Sequence, residues 1–213
     1  MDKKLLSALL FAGLALAAFE LDFSTVVGGE GQQFTFFQFV GPVGAGLLGP
    51  VAGVGSVLAV QAIDFFVAGK EFALINLLRL LPMAFAAAYF GSGKKSVVVA
   101  AACAALFWLH PEGAAAWAYA LFWLIPIGAK LFAEKNLVAQ ALGSTFTAHA
   151  VGSTVFLYAY DIPAAAWWAL IPVTAFERAL FAGGITVSYL ALNAAFARLP
   201  AETPAKNYSL FAQ

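Results

Sequence analysis

The chain has 213 residues, 63% of them hydrophobic and 10% charged, with 11 basic against 11 acidic side chains and a formal net charge of zero. Soluble domains are about half apolar and a quarter charged, so this composition excludes both a water-soluble globule and a disordered tail. With no basic excess there is no electrostatic basis for holding a nucleic-acid backbone, and the single cysteine, Cys103, has no partner for an internal disulfide.

A helix that crosses a bilayer needs about 20 apolar residues. In chain order the apolar runs cover residues 5–19, 34–48, 51–67, 72–90, 96–109, 114–132, 137–160 and 165–196. Short breaks separate them at Gly49-Pro50, Gly69-Lys70, 91–95, 110–113, 134–136 and 161–163; only 20–33 is a longer polar loop. The expected fold is all-α: one polytopic transmembrane helix bundle over residues 1–213, with eight crossings. The run 34–48 is short, and a re-entrant hairpin there gives six crossings plus the hairpin.

Charge sets the orientation. With a cytoplasmic amino terminus, Lys3, Lys4, Lys94, Lys95, Lys130, Lys135, Arg198 and Lys206 all fall inside, and Lys70 alone falls outside. The outer loops collect Glu20, Asp22, Glu30, Glu71, Glu112 and Asp161. This is the positive-inside pattern, and merging 34–67 into one crossing abolishes it. Both termini are therefore expected in the cytoplasm, with 20–33 an extracytoplasmic loop and 197–213 a cytoplasmic tail. Trp108, Trp117, Trp167 and Trp168 fall at outer boundaries, where indoles favour the interface; Trp123 does not. The competing reading of the first run is a cleavable secretory signal, from Lys3-Lys4, the apolar stretch and Ala15-Leu16-Ala17.

Gly44-Ala45-Gly46-Leu47-Leu48-Gly49 matches GxGxxG, but it lies inside an apolar membrane segment instead of between the strand and amphipathic helix that a dinucleotide site requires. Close helix packing explains these glycines instead. The stretch GSGKKS lacks phosphate-loop spacing. His110 and His149 lie on different elements without ligand-type spacing, so no metal site is expected, and no cofactor motif is present.

Polar groups inside a bilayer cost roughly 2.5–3.5 kcal/mol each when charged. The candidates are Asp64, Arg79, His149, Glu177 and Arg178, with Gln38, Gln61, Asn76 and Ser153 near them in depth. Ser153, Phe156 and Tyr160 extend the His149 face outward. This set occupies the outer half and the midplane, and the inner half is nearly bare. That distribution suits a pocket opening outward better than an ion path through both halves. The bland alternatives are an Asp64–Arg79 neutralising pair, an Arg178 that snorkels or bonds a broken-helix carbonyl, and His149 as a satisfied core imidazole. Glu177 and Arg178 are adjacent, about 100° apart on a helix, so at most one faces a given pocket.

Several pieces together resemble a family: Ala8-x-x-x-Ala12, the segment 34–50 ending Leu-Leu-Gly-Pro, 76–82 with Arg-Leu-Leu-Pro, the Gly/Ser/Thr-rich 143–160 with Tyr-Asp-Ile-Pro after it, and 168–178 ending Glu-Arg. The order is similar to the S-component, the substrate-binding membrane subunit, of energy-coupling factor transporters. The resemblance implies a small membrane bundle that binds a vitamin-like molecule from outside, capped by the loop 20–33. It also implies a transmembrane coupling subunit, met by Ala8 and Ala12, and cytoplasmic ATPases. S-components typically have six helices; the extra material here is 96–132. The resemblance does not carry a particular substrate.

The expectation is thus a non-enzymatic solute-binding subunit of the cell membrane, with Gln38, Gln61, Asp64, Asn76, Arg79, His149, Ser153, Glu177 and Arg178 as its binding residues. The alternatives are a structural or accessory subunit of a larger membrane complex and, less favoured, an intramembrane lipid-modifying enzyme using His149 and Glu177 as acid and base.

Overall fold

A computed structural model of the chain describes residues 3–25, 33–198 and 208–210. Glu30 and Lys206 lie outside the described residues. The structure is 81% helical. Helix α1 spans Lys3–Phe19, and two short antiparallel strands follow, β1 (Asp22–Thr25) and β2 (Gln33–Thr35). Then come α2 (Phe37–Val40), a 3-10 turn (Gly41–Val43), α3 (Gly44–Leu48) and α4 (Pro50–Val67). Helices α5 (Leu74–Leu78), α6 (Leu81–Gly91), α7 (Val97–Leu109) and α8 (Pro111–Ala115) lead to a second 3-10 stretch (Trp117–Trp123). The chain closes with α9 (Leu124–Phe132), α10 (Leu137–Ala159) and α11 (Ala164–Phe196).

Proline and glycine set the boundaries. Pro50, Pro82 and Pro111 each stand in the first turn of a helix, where the missing N–H has no intrahelical partner to lose. Gly49 takes φ +85°, ψ 160° and lets α3 reverse into α4. The two helices then touch so closely that a Cβ on Gly53 would overlap the Ala45 backbone. The glycine motif is therefore a helix-crossing device, with no dinucleotide geometry. Asn136 caps α10, its Oδ1 accepting the Ala139 N–H at 2.9 Å.

Among the described residues, three helical stretches are long and apolar enough to cross a membrane: Pro50–Val67, Leu74–Gly91 and Ala164–Phe196. The longest, α11, extends for about 50 Å at 1.5 Å per residue, beyond a hydrocarbon core of about 30 Å. Helix α10 has the length but not the apolarity, because it is the central helix and its neighbours shield it. Gln140, Ser144, Thr145, Thr147, Ser153 and Thr154 along it are all buried. The outward surface is apolar instead: Val51, Phe66, Phe72, Phe132, Phe176 and Val187 are among its most exposed side chains.

Two hydrophobic cores share α10. The first joins α1, α2–α4, α6, α10 and α11 through residues such as Phe11, Phe37, Val57, Phe90, Ala141 and Ile185. The second packs α7 and the stretch 116–123 on the other part of α10, through Phe107, Tyr119, Trp123, Val151, Leu157 and Trp167. The extra material 96–132 thus packs with part of α10 and the start of α11 in the second core.

Contacts define two ends. At one, Lys70 meets Asp64 and lies over the Phe19 ring, Arg79 meets Tyr160, and Trp168 reaches the Ala115 carbonyl. At the other, Gly93 faces Glu134, Ser209 pairs with Asn136, and Tyr208 donates to the Phe90 carbonyl at 2.6 Å. The first end carries Glu20, Asp22, Asp64, Glu71, Glu112 and Asp161; the second carries Lys94, Lys95, Lys135 and Arg198. The split is incomplete, since Lys70 and Arg79 stand at the first end and Glu134 at the second.

Four details depart from expectation. The loop 20–33 ends in paired strands, because alternating Phe23 and Phe34 find a common partner in Phe181. The run 72–90 is broken between α5 and α6, where Pro82 cannot continue a ladder. Lys130 is not a loop cation: it is fully buried, 2.5 Å from Gln140 Oε1 and 4.4 Å from the centre of the Tyr89 ring. Together with Ser144, which donates to the Ala86 carbonyl, it gives the basic half polar groups the sequence did not suggest. Trp167 turns into the second core, whereas Trp108, Trp117 and Trp168 stay at the surface.

Candidate functional site

The expected polar residues separate into two groups. Gln38, Gln61, Asp64, Asn76 and Arg79 line one cavity of about 380 Å³ at the acidic end. His149, Ser153, Glu177 and Arg178 belong to two clusters with other partners. The nine residues thus do not share one pocket: five line the cavity and four stand outside its lining.

The cavity forms where α1, α4 and the α5–α6 break meet β2 and α2. Phe19, Phe37, Phe65, Leu80, Pro82 and Met83 give it apolar walls. Gln33 and Lys70, both exposed, stand among its lining residues, so it is reached from the acidic end. Gln61 is buried and donates its amide N–H to the Leu80 carbonyl at 3.1 Å, across the helix break. Asn76 donates to the Glu71 carbonyl and accepts from Arg79 Nη1 at 3.2 Å. Arg79 Nη2 donates to Tyr160 Oη at 3.0 Å, and the guanidinium carbon is 5.4 Å from the centre of the Phe156 ring.

Asp64 does not pair with Arg79. It is taken by Lys70, whose Nζ lies 2.5 Å from Oδ2, because the Gly69 turn (φ +60°) folds Lys70 back over the end of α4. Among the described residues no carboxylate pairs with Arg79, and its buried Nε has no acceptor.

The second group forms two clusters, one around His149 and one around Arg178, whose buried Nε also has no acceptor among the described residues. Trp123 Nε1 donates to His149 Nδ1 at 3.2 Å. An indole N–H can only donate, so Nδ1 is the acceptor and the neutral ring carries its proton on Nε2. Nε2 lies 2.8 Å from Tyr119 Oη, which in turn is 3.1 Å from Thr174 Oγ1, and Ser153 Oγ is 3.4 Å from the same Nε2. Both ring nitrogens are therefore occupied. Arg178 bonds Glu177 and Thr145, each at 3.4 Å, and its guanidinium carbon sits 4.1 Å from the Phe181 ring centre and 5.2 Å from that of Phe34. The adjacent pair, expected to diverge, is joined because the long Arg178 side chain curls back to Glu177.

Tyr119 and Trp123 come from the extra segment, so the His149 network fastens that segment to α10 and α11. The expected outward stripe on α10 does exist, but it serves two places. Ser153 joins His149, while Phe156 and Tyr160 reach Arg79. At 1.5 Å per residue Tyr160 lies about 16 Å along the helix from His149. Ala8 and Ala12 are half-buried on α1, and Ala12 packs against the first core. Sequence reading missed Gln33 and Lys70 in the cavity and Tyr119, Trp123 and Thr174 in the network. Aromatic residues count as apolar in any hydropathy profile, which conceals their hydrogen-bonding ends.

No group of three or more His, Cys, Asp or Glu side chains among the described residues is arranged to hold a metal ion. No protein-family model, curated protein or solved structure matches this chain.

Proposed function

We propose that this protein is a membrane-embedded binding subunit that captures a small, vitamin-like solute from outside the cell, in the manner of the S-component of energy-coupling factor transporters. In this reading the helices make eight crossings, or six plus the α2–α3 hairpin, with both termini cytoplasmic. The basic end with Lys94, Lys95, Lys135 and Arg198 then faces the cytoplasm and the acidic end faces out. The observation that carries the reading is the cavity at the acidic end. It draws five expected polar residues from α2, α4 and the α5–α6 break into one space, and it has the size and the apolar walls of a small-molecule pocket, about 300–1,000 Å³.

Ala8 and Ala12, at the margin of the buried α1 face, are the proposed meeting point with a transmembrane coupling subunit that carries cytoplasmic ATPases. The protein itself performs no chemistry in this account. The alternative acid–base pair of His149 and Glu177 has little to recommend it, since the His149 nitrogens go to Trp123 and Tyr119 and Glu177 goes to Arg178.

Affinity purification from native membranes tests the assembly. Recovery of a second membrane subunit together with ATPases supports the reading. A stable complex that lacks any ATPase, with tolerance to substitution at Asp64 and Arg79, favours the accessory-subunit alternative.

A further inference from the structure

Resting on that reading of the cavity, the geometry points to a solute class: a small monoanion whose carboxylate is held by Arg79 and whose apolar or heteroaromatic body lies against the phenylalanine-rich wall. The argument begins with charge. Among the described lining residues the ionised groups are Asp64, Lys70 and Arg79. Asp64 and Lys70 neutralise each other at 2.5 Å. What remains is the single positive charge of Arg79, with no carboxylate opposite it among the described residues. A buried or half-buried charge without a counter-ion is costly, and an anionic solute would remove that cost on binding.

Donor geometry agrees. A guanidinium has five N–H donors in a planar fork. One Nη1 hydrogen goes to Asn76 Oδ1 and one Nη2 hydrogen to Tyr160 Oη. Nε–H has no acceptor among the described residues, and each Nη keeps a second hydrogen. Nε itself is buried out of reach, and the two remaining Nη hydrogens make the end-on pair that takes a carboxylate with two parallel bonds. Asn76, Tyr160 and the Phe156 ring hold the fork in place beforehand, so little side-chain freedom is lost when the anion arrives. The remaining walls, Phe19, Phe37, Phe65 and Met83, suit an apolar or aromatic body.

The test uses carboxylate and amide or alcohol partners of nearly equal shape, measured on the full chain in lipid nanodiscs: nicotinate against nicotinamide, biotin against biotinamide, pantothenate against panthenol, with thiamine as a cation. At least one carboxylate is expected to bind about tenfold to hundredfold more tightly than its uncharged partner, the range for a charge-assisted pair. Arg79→Gln brings that pair to near parity, and Arg79→Lys restores part of the preference. Should Arg79→Gln not fold, the wild-type ratio and Tyr160→Phe, which loosens the fork without removing the charge, carry the test. Equal or tighter binding of an uncharged partner or of thiamine overturns the anion assignment and leaves solute capture standing. No binding by any compound, with no small molecule carried through purification from native membranes, overturns both.

Discussion

Arg79 and Tyr160 are 81 positions apart in the chain and meet at 3.0 Å, guanidinium to phenol, where the α5–α6 break faces the end of α10. This bond anchors a cavity-lining arginine and ties the segment between α5 and α6 to the end of the central helix. Tyr160→Phe removes the acceptor and leaves an arginine N–H unpaired, a loss of about 1 kcal/mol for an ordinary hydrogen bond and up to about 3 for a charged one. The expected outcome is a modestly lower melting temperature in detergent and a several-fold weaker affinity for the bound solute. An unchanged melting temperature and affinity would show that Arg79 is positioned without Tyr160.

His149 separates structure from binding. Replacing it with alanine strips partners from Trp123 Nε1 and Tyr119 Oη inside the second core. Each buried group left unsatisfied costs about 1–3 kcal/mol. The expected result for His149→Ala is a clearly lower melting temperature and altered tryptophan fluorescence, with solute affinity held within about twofold, since no cavity-lining residue bonds His149. Loss of binding in a folded His149→Ala protein would return His149 to the site.

The first core depends on close backbone approach. A Cβ at Gly53 would overlap the Ala45 main chain, which has no flexible end to move aside. Gly53→Ala should therefore destabilise by at least the 1–3 kcal/mol or so typical of overpacking. Gly55→Ala, with open space around its Cβ, should be tolerated. Thermal unfolding of the two variants side by side distinguishes a true crossing point from a general preference for small residues.

The carboxy-terminal docking has a pH signature. Tyr208 donates its hydroxyl to the Phe90 carbonyl at 2.6 Å and packs on Phe90 and Tyr189. Burial, with help from Tyr189 and Glu134 nearby, raises its pKa above the usual phenol value of 10.0. A raised phenol pKa favours the neutral, folded form. The contribution is fully present below about pH 10 and is lost as the solution climbs through and past that value. Protease access to the tail should stay constant from neutral pH to about pH 9 and rise only in stronger alkali; Tyr208→Phe should raise access already at neutral pH.

How far the sequence disclosed this arrangement depends on the kind of residue. Gly49, Pro50 and Asn136 carry local backbone information, and the element boundaries at those points follow from them directly; Pro82 carries the same kind of signal, hidden inside the continuous apolar run 72–90. Charges at helix ends also behave as single-residue signals, which is why Lys94, Lys95 and Lys135 gather at one end. Facing is a different matter. Whether Lys130 points to water or to Gln140 depends on the rotation of a 3-10 stretch that periodicity does not fix, and it is in fact buried. For the same reason the depths of Arg79 and His149 could be estimated from the chain, whereas their assignment to different sites could not. That outcome depends on where Tyr119, Trp123 and Lys70 are delivered by other segments. The strand pair beside 26–32 was concealed by the polar composition of its loop.

Solute capture in the acidic-end cavity is tested most directly by equilibrium binding of radiolabelled vitamins to the protein in nanodiscs, wild type beside Gln38→Trp. The tryptophan would fill the half-buried Gln38 position on the cavity wall. The account predicts saturable binding of one solute by the wild type and its loss in a Gln38→Trp protein that still melts cooperatively. Saturable binding that Gln38→Trp leaves untouched would contradict it.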